Sequence, residues 1–234
     1  VQRLDGMNWM HRVRKTGTRH FLRAEYYNRM LAFTRRNLAD HIVYQSEFSR
    51  DWWNSTGDTP RATSQVTYNG VDLDIYTPLG KEIPPKDKIR VLVIEARFGG
   101  GYESGLENAI DFAVALRGKI KQPLELFVLG ETNQKLKEFA REKAGDILHW
   151  GGRVAREEIP AICRSAHLLF SADINPACPN SGIEALACGL PVVGYATGSL
   201  AELVGEDGGK TAAYGSNFWK LEAANPAELV DAAL

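Results

Sequence analysis

The sequence predicts an α/β protein whose second half forms a doubly wound, Rossmann-like parallel sheet. Short apolar runs at 89–96 (IRVLVIEA), 124–129 and 190–194 alternate with helical segments of amphipathic spacing. The first run is rich in β-branched residues, as expected for a strand covered on both faces. Loops rich in glycine, asparagine or proline follow these strands, on the side where open α/β sheets bind ligands.

Composition restricts the class of protein. The chain has 234 residues, a net charge of −1 and 44% hydrophobic residues, which is ordinary for a soluble globular protein. Its three cysteines, Cys163, Cys178 and Cys188, form no CxxC pair, so we expect a reducing compartment and no structural zinc. No apolar run reaches the roughly 20 residues of a membrane span, and residues 1–5 lack a signal-peptide core. We therefore expect a cytoplasmic protein.

One segment is strongly basic. Between His11 and Arg36 there are eight arginines and lysines but only one acid, Glu25. Such a block indicates an anionic partner such as a phosphate group, or a membrane surface, which would place the protein peripherally at the inner membrane face; a solvated helix face is the alternative. Nucleic acid is not an expected partner, because no aromatic platform or known motif accompanies the charge.

The first 72 residues contain short strands and two helices. Strands are predicted near 1–6, 41–45 and 65–68. A helix is predicted over 19–38, with apolar residues from Phe21 to Phe33 toward the core and arginines outward. A second helix follows Ser46 as its cap, and we expect Trp52 and Trp53 to pack in the core or between domains.

The stretch 166–194 is the most informative part of the chain. It predicts a strand at 167–171, a loop at 173–180, a helix at 181–188 capped by Ser181, and a strand at 190–194. This is a βαβ crossover whose loop lies at the carboxyl edge of the sheet. Backbone N–H groups at the helix start would attract an anion, and Glu184 could face a vicinal diol such as a ribose. An ordinary crossover with a solvent-facing Glu184 is the alternative.

A second candidate anion site follows the strand at 89–96. Arg97 and the glycines Gly99, Gly100 and Gly101 separate that strand from a helix predicted at 106–116. This order of strand, glycine loop and helix is suited to a phosphate, although it is neither the GxGxxG fingerprint nor a P-loop. Arg97 is interpreted as a diphosphate ligand, with an exposed arginine at a strand end as the alternative.

Further elements are predicted in chain order. They are a helix at 132–143, a strand at 147–150, a helix at 156–165, a helical turn at 199–204, a strand near 211–214 and a helix from Pro226. Glu202, in the turn at 199–204, is interpreted as an exposed helix acid.

The stretch at 176–193 resembles the nucleotide-sugar signature of family-4 retaining glycosyltransferases of the GT-B architecture. The matching residues are Pro179, Asn180, Glu184, Ala185, Ala187, Gly189, Pro191, Val192 and Val193. The segment 69–78 (NGVDLDIYTP) is similar to that family's interdomain linker. The resemblance covers 39–234 well and 1–38 loosely.

The resemblance implies a GT-B-like chain of two parts. Residues 1–72 would be a partial N-terminal, acceptor-side domain with the linker, and 73–234 the C-terminal donor-binding domain without its final helix. It implies a hexosyltransferase-type enzyme that moves a sugar from a nucleoside-diphosphate donor to an unidentified acceptor, with no cofactor and no essential metal.

The resemblance also assigns roles to residues. Arg97 and Glu184 would act on the diphosphate and the ribose, and main chain near Val154 would lie against the base. The donor site would include Gly99, Gly100, Gly101, Pro179, Asn180, Ser181 and Gly182. The sequence departs from the family at two places: Pro176 replaces the glutamate that contacts the sugar, and Glu103 and Ser104 lie where a lysine is expected.

These departures keep two alternatives open. One is a catalytically weak GT-B-like module used for binding or assembly. The other is a nucleotide-sugar epimerase on the same fold.

Overall fold

The chain contains two separate parallel β-sheets. The structure, a computed structural model, describes residues 1–57, 59–99 and 102–234. The first sheet has three strands in the order β1–β2–β3, and the second has six in the order β6–β5–β4–β7–β8–β9. All described strand pairs are parallel. The predicted α/β class is confirmed, whereas the division at residue 72 stays a prediction.

The strands alternate with helices along the chain. The strands are β1 Gln2–Leu4, β2 His41–Tyr44, β3 Thr63–Val66, β4 Ile89–Phe98, β5 Leu124–Thr132, β6 Leu148–Gly152, β7 Leu168–Phe170, β8 Val192–Tyr195 and β9 Gly209–Ala212. The α-helices are α1 Met10–Val13, α2 Thr18–Asn37, α3 Glu47–Asn54, α4 Glu103–Arg117, α5 Gln134–Ala144, α6 Ile159–Arg164, α7 Asn180–Ala187, α8 Leu200–Val204 and α9 Ala227–Ala233. Short 3₁₀ turns lie at Gly145–Ile147, Arg156–Glu158 and Phe218–Lys220.

The order of the six strands fixes where a ligand can bind. From β4 the chain moves outward through β5 to β6, then returns to the other side of β4 with β7 and continues to β9. The connections therefore diverge at the β4–β7 pair, and their loops leave a crevice beyond the carboxyl ends of these two strands. Of the two motifs selected from the sequence, Arg97 near the end of β4 and the loop after β7 lie at this edge of the sheet.

Apolar side chains cover both faces of the second sheet. One face packs against α4, α5 and α9 around Phe112 and Phe170, whose rings lie 5.2 Å apart. The other face packs against α6, α7 and α8 around Leu92, Leu169 and Val192. Burial on both faces explains why the central residues of β4, Val91 to Val93, are all apolar.

The faces of α2 differ from the sequence prediction, although the helix itself is confirmed. Its buried residues are Ala24, Asn28 and Arg35, while Leu22 and Phe33 are exposed. Arg35 donates a hydrogen bond from Nε to the Tyr44 hydroxyl at 2.8 Å. Apolar residues occur on several sides of this helix, so their spacing could not select the buried face, and hydrogen bonds allow polar groups to pack there.

Helix starts are the other point of difference. Ser46 caps α3 as predicted, accepting a hydrogen bond from the Ser49 N–H at 3.0 Å. The predicted cap Ser181 is wrong, because α7 already includes Asn180 and its N-cap is Pro179. The short helix α1 has no clear sequence periodicity and was not predicted.

The packing of α4 on β7 depends on one glycine. A Cβ placed on Gly105 would lie 2.0 Å from the carbonyl oxygen of Ala172, which is backbone and cannot move aside cheaply. We predict that Gly105→Ala destabilises the chain by about 1–3 kcal/mol, the usual cost of overpacking. Thermal unfolding with circular dichroism measures the effect.

Gly118→Ala is the matched control. Gly118 follows α4 with a helical φ of −69°, and the nearest atom to an added Cβ is 3.4 Å away. Its unfolding midpoint should equal or exceed that of the unmodified chain. A Gly105→Ala protein that unfolds at the same temperature as Gly118→Ala would contradict the packing described here.

Candidate functional site: a cleft at the switch point of the sheet

A cavity of about 740 Å³ lies at the carboxyl ends of β4, β5 and β6, beside the start of α7. We call it the donor cleft, after the role that the resemblance would give its residues. Its walls carry most of the polar groups that the sequence analysis selected, together with four charged residues that it did not select. The side chains that matter to its chemistry are Glu95, Arg97, Val154, Arg156, Asn180 and Glu184.

Arg97 reaches the donor cleft because β4 is irregular near its end. Ile94 pairs with Leu129, but the next paired residue is Arg97, opposite Glu131, so Glu95 and Ala96 form a bulge. The Arg97 side chain is exposed, and it makes no hydrogen bond or ion pair with any residue that the structure describes. A guanidinium in this state is well suited to bind an anion.

Glu184 lies on the first turns of α7 and is mostly buried, with 15% of its side chain exposed. Its Oε1 is 3.6 Å from Nη2 of Arg156, and Arg156 Nε lies 3.4 Å from the Tyr76 hydroxyl. Burial raises the pKa of Glu184, while the Tyr76 hydrogen bond and Arg156 oppose that rise. The Glu184 carboxylate therefore belongs to a polar cluster with Arg156 and Tyr76 on the cleft wall, unlike a helix acid that faces solvent.

The start of α7 leaves its amide groups without a side-chain cap. Pro179 precedes the helix in an extended conformation, and no side chain caps this end within the described residues. The Asn180 Oδ1 atom instead accepts a hydrogen bond from Asn69 Nδ2 at 2.7 Å. Free amides at a helix start give a partial positive charge that favours an anion in the adjoining cleft.

The other predicted site residues do not all line the donor cleft. Val154 lines the donor cleft. Pro179, Ser181 and Gly182 form the start of α7 but do not line the cavity wall. An added Cβ on Gly99 would lie 3.8 Å from Arg97 Nε, which places this glycine beside the guanidinium. The predicted ligands Gly100 and Gly101 lie outside the described residues.

Two acidic residues near the switch point were missed by the sequence analysis. Burial, reinforced by the charge of Asp173, raises the pKa of Glu95 to about 8. Burial raises the pKa of Asp173 itself to about 6. The available signal was a glutamate inside the apolar run 89–96, which interrupts an otherwise buried strand.

Hydrogen bonds connect the segments around the first sheet with those around the second. The Glu202 carboxylate accepts hydrogen bonds from the N–H groups of Glu47 and Phe48 at 2.9 and 2.7 Å, and from the Tyr68 hydroxyl at 3.0 Å. Glu202 is exposed, as predicted, but it also caps α3 from the other side of the crevice. The hydrogen bond to Glu202, added to burial, raises the pKa of Tyr68 to about 12.

Arg14 crosses the crevice on the opposite side. Its Nη1 lies 2.8 Å from Oε2 of Glu103, and its Nη2 donates to the Ser104 hydroxyl at 2.6 Å. Glu103 and Ser104 are the residues found where the resemblance predicts a lysine. A cation therefore does lie at this point, but it comes from the N-terminal part of the chain.

Comparison with known proteins decides the family. Residues 81–226 match the sequence profile described as "Glycosyl transferases group 1". The chain belongs to this family. The match includes β4 through β9 and thus every residue of the donor cleft named above.

Individual relatives agree with the family. The chain is 26% identical over 151 residues to the MMP alpha-(1->4)-mannosyltransferase of Mycolicibacterium hassiacum, a match that covers 64% of this chain and 36% of that protein. The crystal structure of WaaG, a glycosyltransferase involved in lipopolysaccharide biosynthesis, superimposes with a TM-score of 0.70 at 18% identity, covering 98% of this chain and 63% of that one. Anabaena HepE in complex with UDP-glucose gives a TM-score of 0.63 at 18% identity, with coverages of 94% and 59%.

These comparisons establish the fold of this group 1 chain. It has the α/β architecture with parallel sheets seen in GT-B glycosyltransferases and covers part of that fold. It spans about a third of the mannosyltransferase's length and about 60% of each of the two structures. The comparisons lend no support to the epimerase alternative.

Three further properties concern the described residues as a whole. None of their helices combines the length and the apolarity needed to cross a bilayer. No group of three or more histidine, cysteine, aspartate or glutamate side chains among them is arranged to hold a metal ion. All three cysteines are unpaired and buried.

The raised pKa of Glu95 gives a prediction about stability. Because its pKa rises from 4.5 to about 8 on folding, the folded state keeps a proton that the unfolded state loses, so stability falls as pH increases from 4.5 to 8. We predict that Glu95→Gln is more stable than the unmodified chain. The difference should grow with pH by at most about 1.4 kcal/mol per unit and level off above pH 8.

Urea unfolding between pH 5 and pH 9, monitored by fluorescence, measures this difference. Glu131→Gln, an exposed carboxylate on the same cleft, should leave the pH dependence unchanged. A Glu95→Gln protein whose stability runs parallel to that of the unmodified chain across the whole range would refute the burial of Glu95 described here.

Proposed function

We propose that the chain carries the donor-binding part of a retaining, family-4-type hexosyltransferase that transfers a sugar from a nucleoside-diphosphate sugar to an acceptor. The observation that carries the proposal is the donor cleft, where an unpaired arginine, uncapped helix amides and a buried glutamate surround one cavity at the switch point. A nucleotide-sugar donor consists of a base, a ribose, a diphosphate and the sugar to be transferred. The cleft offers matching groups for the first three of them.

Each part of the donor has a proposed ligand. Arg97 and the amides at the start of α7 bind the diphosphate, because both supply positive charge next to the same cavity. Glu184 binds the two ribose hydroxyls, since an ionised carboxylate accepts two hydrogen bonds. Main chain near Val154 lies against the base. That HepE is described in complex with UDP-glucose supports a uridine diphosphate donor.

The proposed chemistry depends on stabilising the leaving group. The acceptor oxygen forms a bond to the anomeric carbon while the bond from that carbon to the diphosphate oxygen breaks, and the electron pair stays on the diphosphate. The acceptor proton passes to the leaving diphosphate. Arg97 and the helix amides stabilise the charge that develops there. One well-placed hydrogen-bond donor contributes about 3–4 kcal/mol to such stabilisation. The proposal requires neither a cofactor nor an essential metal.

The second candidate is a module that binds sugar nucleotides but transfers sugar poorly. Pro176 favours it, because a proline cannot supply the carboxylate that the family uses against the transferred sugar. The Arg14–Glu103 ion pair favours it as well, since Glu103 neutralises the arginine that lies at the position of the expected lysine.

A variant of Arg97 tests the donor site. We predict that Arg97→Ala lowers the affinity for UDP about tenfold to a hundredfold, the cost of one charge-assisted hydrogen bond, and abolishes most sugar transfer, with an unchanged unfolding temperature. Isothermal titration with UDP measures affinity, and release of UDP from UDP-glucose measures turnover.

Arg153→Ala is the control. Arg153 also lines the donor cleft, but it is exposed and paired with Glu131. This variant should bind UDP with near-normal affinity. Undiminished UDP affinity and transfer in Arg97→Ala would contradict the donor-site proposal, whereas normal UDP binding by the unmodified chain without any transfer would select the weak module.

A further inference from the structure

A second cavity, of about 370 Å³, lies beside the donor cleft and between the two sheets. One wall comes from the segment after β1, with Asp5, Asn8 and Trp9, and the other from the loop after β7, with Asp173 and Asn175. Tyr102, just before α4, also lines it. Nothing in the donor-site proposal uses these residues, so the cavity raises a separate question of what it binds.

The cavity meets the donor cleft at a group of acids. Asp173 lines this cavity, and its charge raises the pKa of Glu95, which lines the donor cleft. Burial and, after it, the charges of Asp173, Glu95 and Asp5 raise the pKa of Tyr102, which lines this cavity together with Asp5 and Asp173. A molecule in the second cavity would therefore lie close to the acids that border the donor cleft.

The lining of the cavity is negatively charged. No lysine or arginine lines it within the described parts of the chain, and neither Asp5 nor Asp173 has an ion pair there. Two histidines line it, His11 and His20, but His11 is already bonded to Glu25 at 2.8 Å. Burial raises the pKa of Asp173 to about 6, and partial burial raises the pKa of Asp5 against the opposing charge of Arg3.

Asn175 supplies an independent indication of a ligand. It lines the cavity and is 5% exposed, yet neither its Nδ2 nor its Oδ1 has a hydrogen-bond partner in the described residues. Buried amides are nearly always bonded, because leaving one unpaired costs about 1–3 kcal/mol. An amide offers both a donor and an acceptor, which is the pair of functions that a hydroxyl group needs.

Aromatic rings complete the cavity. Trp9 and Trp52 line it, and both pack edge-on against Trp219, with ring centroids 5.3 and 5.1 Å away. Such rigid rings offer an apolar surface to the carbon face of a cyclic molecule, while polar groups opposite them fix its orientation.

We propose that this cavity binds the acceptor and selects a hydroxyl-rich molecule with a protonated amine, such as an amino sugar, through Asp5, Asp173 and Asn175. The amine supplies the cation that the two aspartates lack, and the hydroxyls pair with the Asn175 amide. A metal ion is a poorer fit, because these acids do not converge into a group able to hold one. An anionic acceptor, one option left by the basic segment, is disfavoured by the same carboxylates. The assignment of this molecule as the acceptor rests on the proposed function, whereas its binding does not.

Three glycosides of equal size test the proposal. Ligand-observed NMR titration of the full chain, with saturating UDP present, would compare methyl glucosaminide, methyl glucoside and methyl glucuronide. We expect the glucosaminide to bind at least about tenfold more tightly than the glucoside, and the glucuronide to bind weakest, because a charge-assisted hydrogen bond is about twice as strong as a neutral one.

Variants identify the source of the preference. Asp173→Asn and Asp5→Asn keep the side-chain shape, and each should reduce the preference for the amine while leaving glucoside affinity unchanged. Asp207→Asn, an exposed acid that does not line the cavity, is the control and should behave as the unmodified chain. Asp5 is exposed, so its variant remains informative even if Asp173→Asn does not fold.

The outcomes separate this inference from the donor site. Equal affinities for glucosaminide and glucoside, tighter binding of the glucuronide, or a preference that survives in both aspartate variants would overturn it. Binding of UDP without binding of any glycoside would overturn it too and leave the donor site intact. Glycoside binding without UDP binding would refute the donor site alone.

Discussion

The strand order of the six-stranded sheet is the constraint on which the site depends. Because β4 lies between β5 and β7, the connections leave it in opposite directions, which opens a crevice beyond the carboxyl ends of β4 and β7. Every polar group assigned to the donor cleft comes from a strand end or a helix start at this opening. The apolar packing on both faces of the sheet holds these ends in place, so the chemistry is carried by loops on a rigid support.

Polar contacts across the crevice join its two sides and also shape the site. Glu202 caps α3 from one side, and Arg14 binds Glu103 and Ser104 from the other. Both contacts are partly exposed and individually weak, and they act beside the aromatic contacts of Trp9 and Trp52 with Trp219. The second cavity is lined by Gln45, close to α3, and by Tyr102, next to Glu103, so its shape depends on these contacts as well as on the residues that line it.

The sequence predicted the fold and part of the site for identifiable reasons. Continuous β-branched runs and the signature at 176–193 are local patterns, so β4, β7, α7 and β8 could be placed within a few residues, and with them Arg97 and Glu184. The buried face of α2 could not be predicted, because it consists of Ala24, Asn28 and Arg35, whose burial depends on partners distant in sequence. The same limit applies to Arg14, Glu95 and Asp173, which become neighbours of the site only through the strand order and the bulge in β4.

The central claim is that a sugar nucleotide is held where β4 and α7 meet, with its diphosphate against Arg97 and the amides of Asn180 and Ser181. A crystal structure of the chain grown with UDP tests it most directly. The account predicts diphosphate oxygens within hydrogen-bond distance of the Arg97 guanidinium and of these amides, with the ribose hydroxyls on Glu184. A nucleotide bound elsewhere on the chain, with Arg97 directed into solvent and Glu184 still paired only with Arg156 and Tyr76, would contradict it.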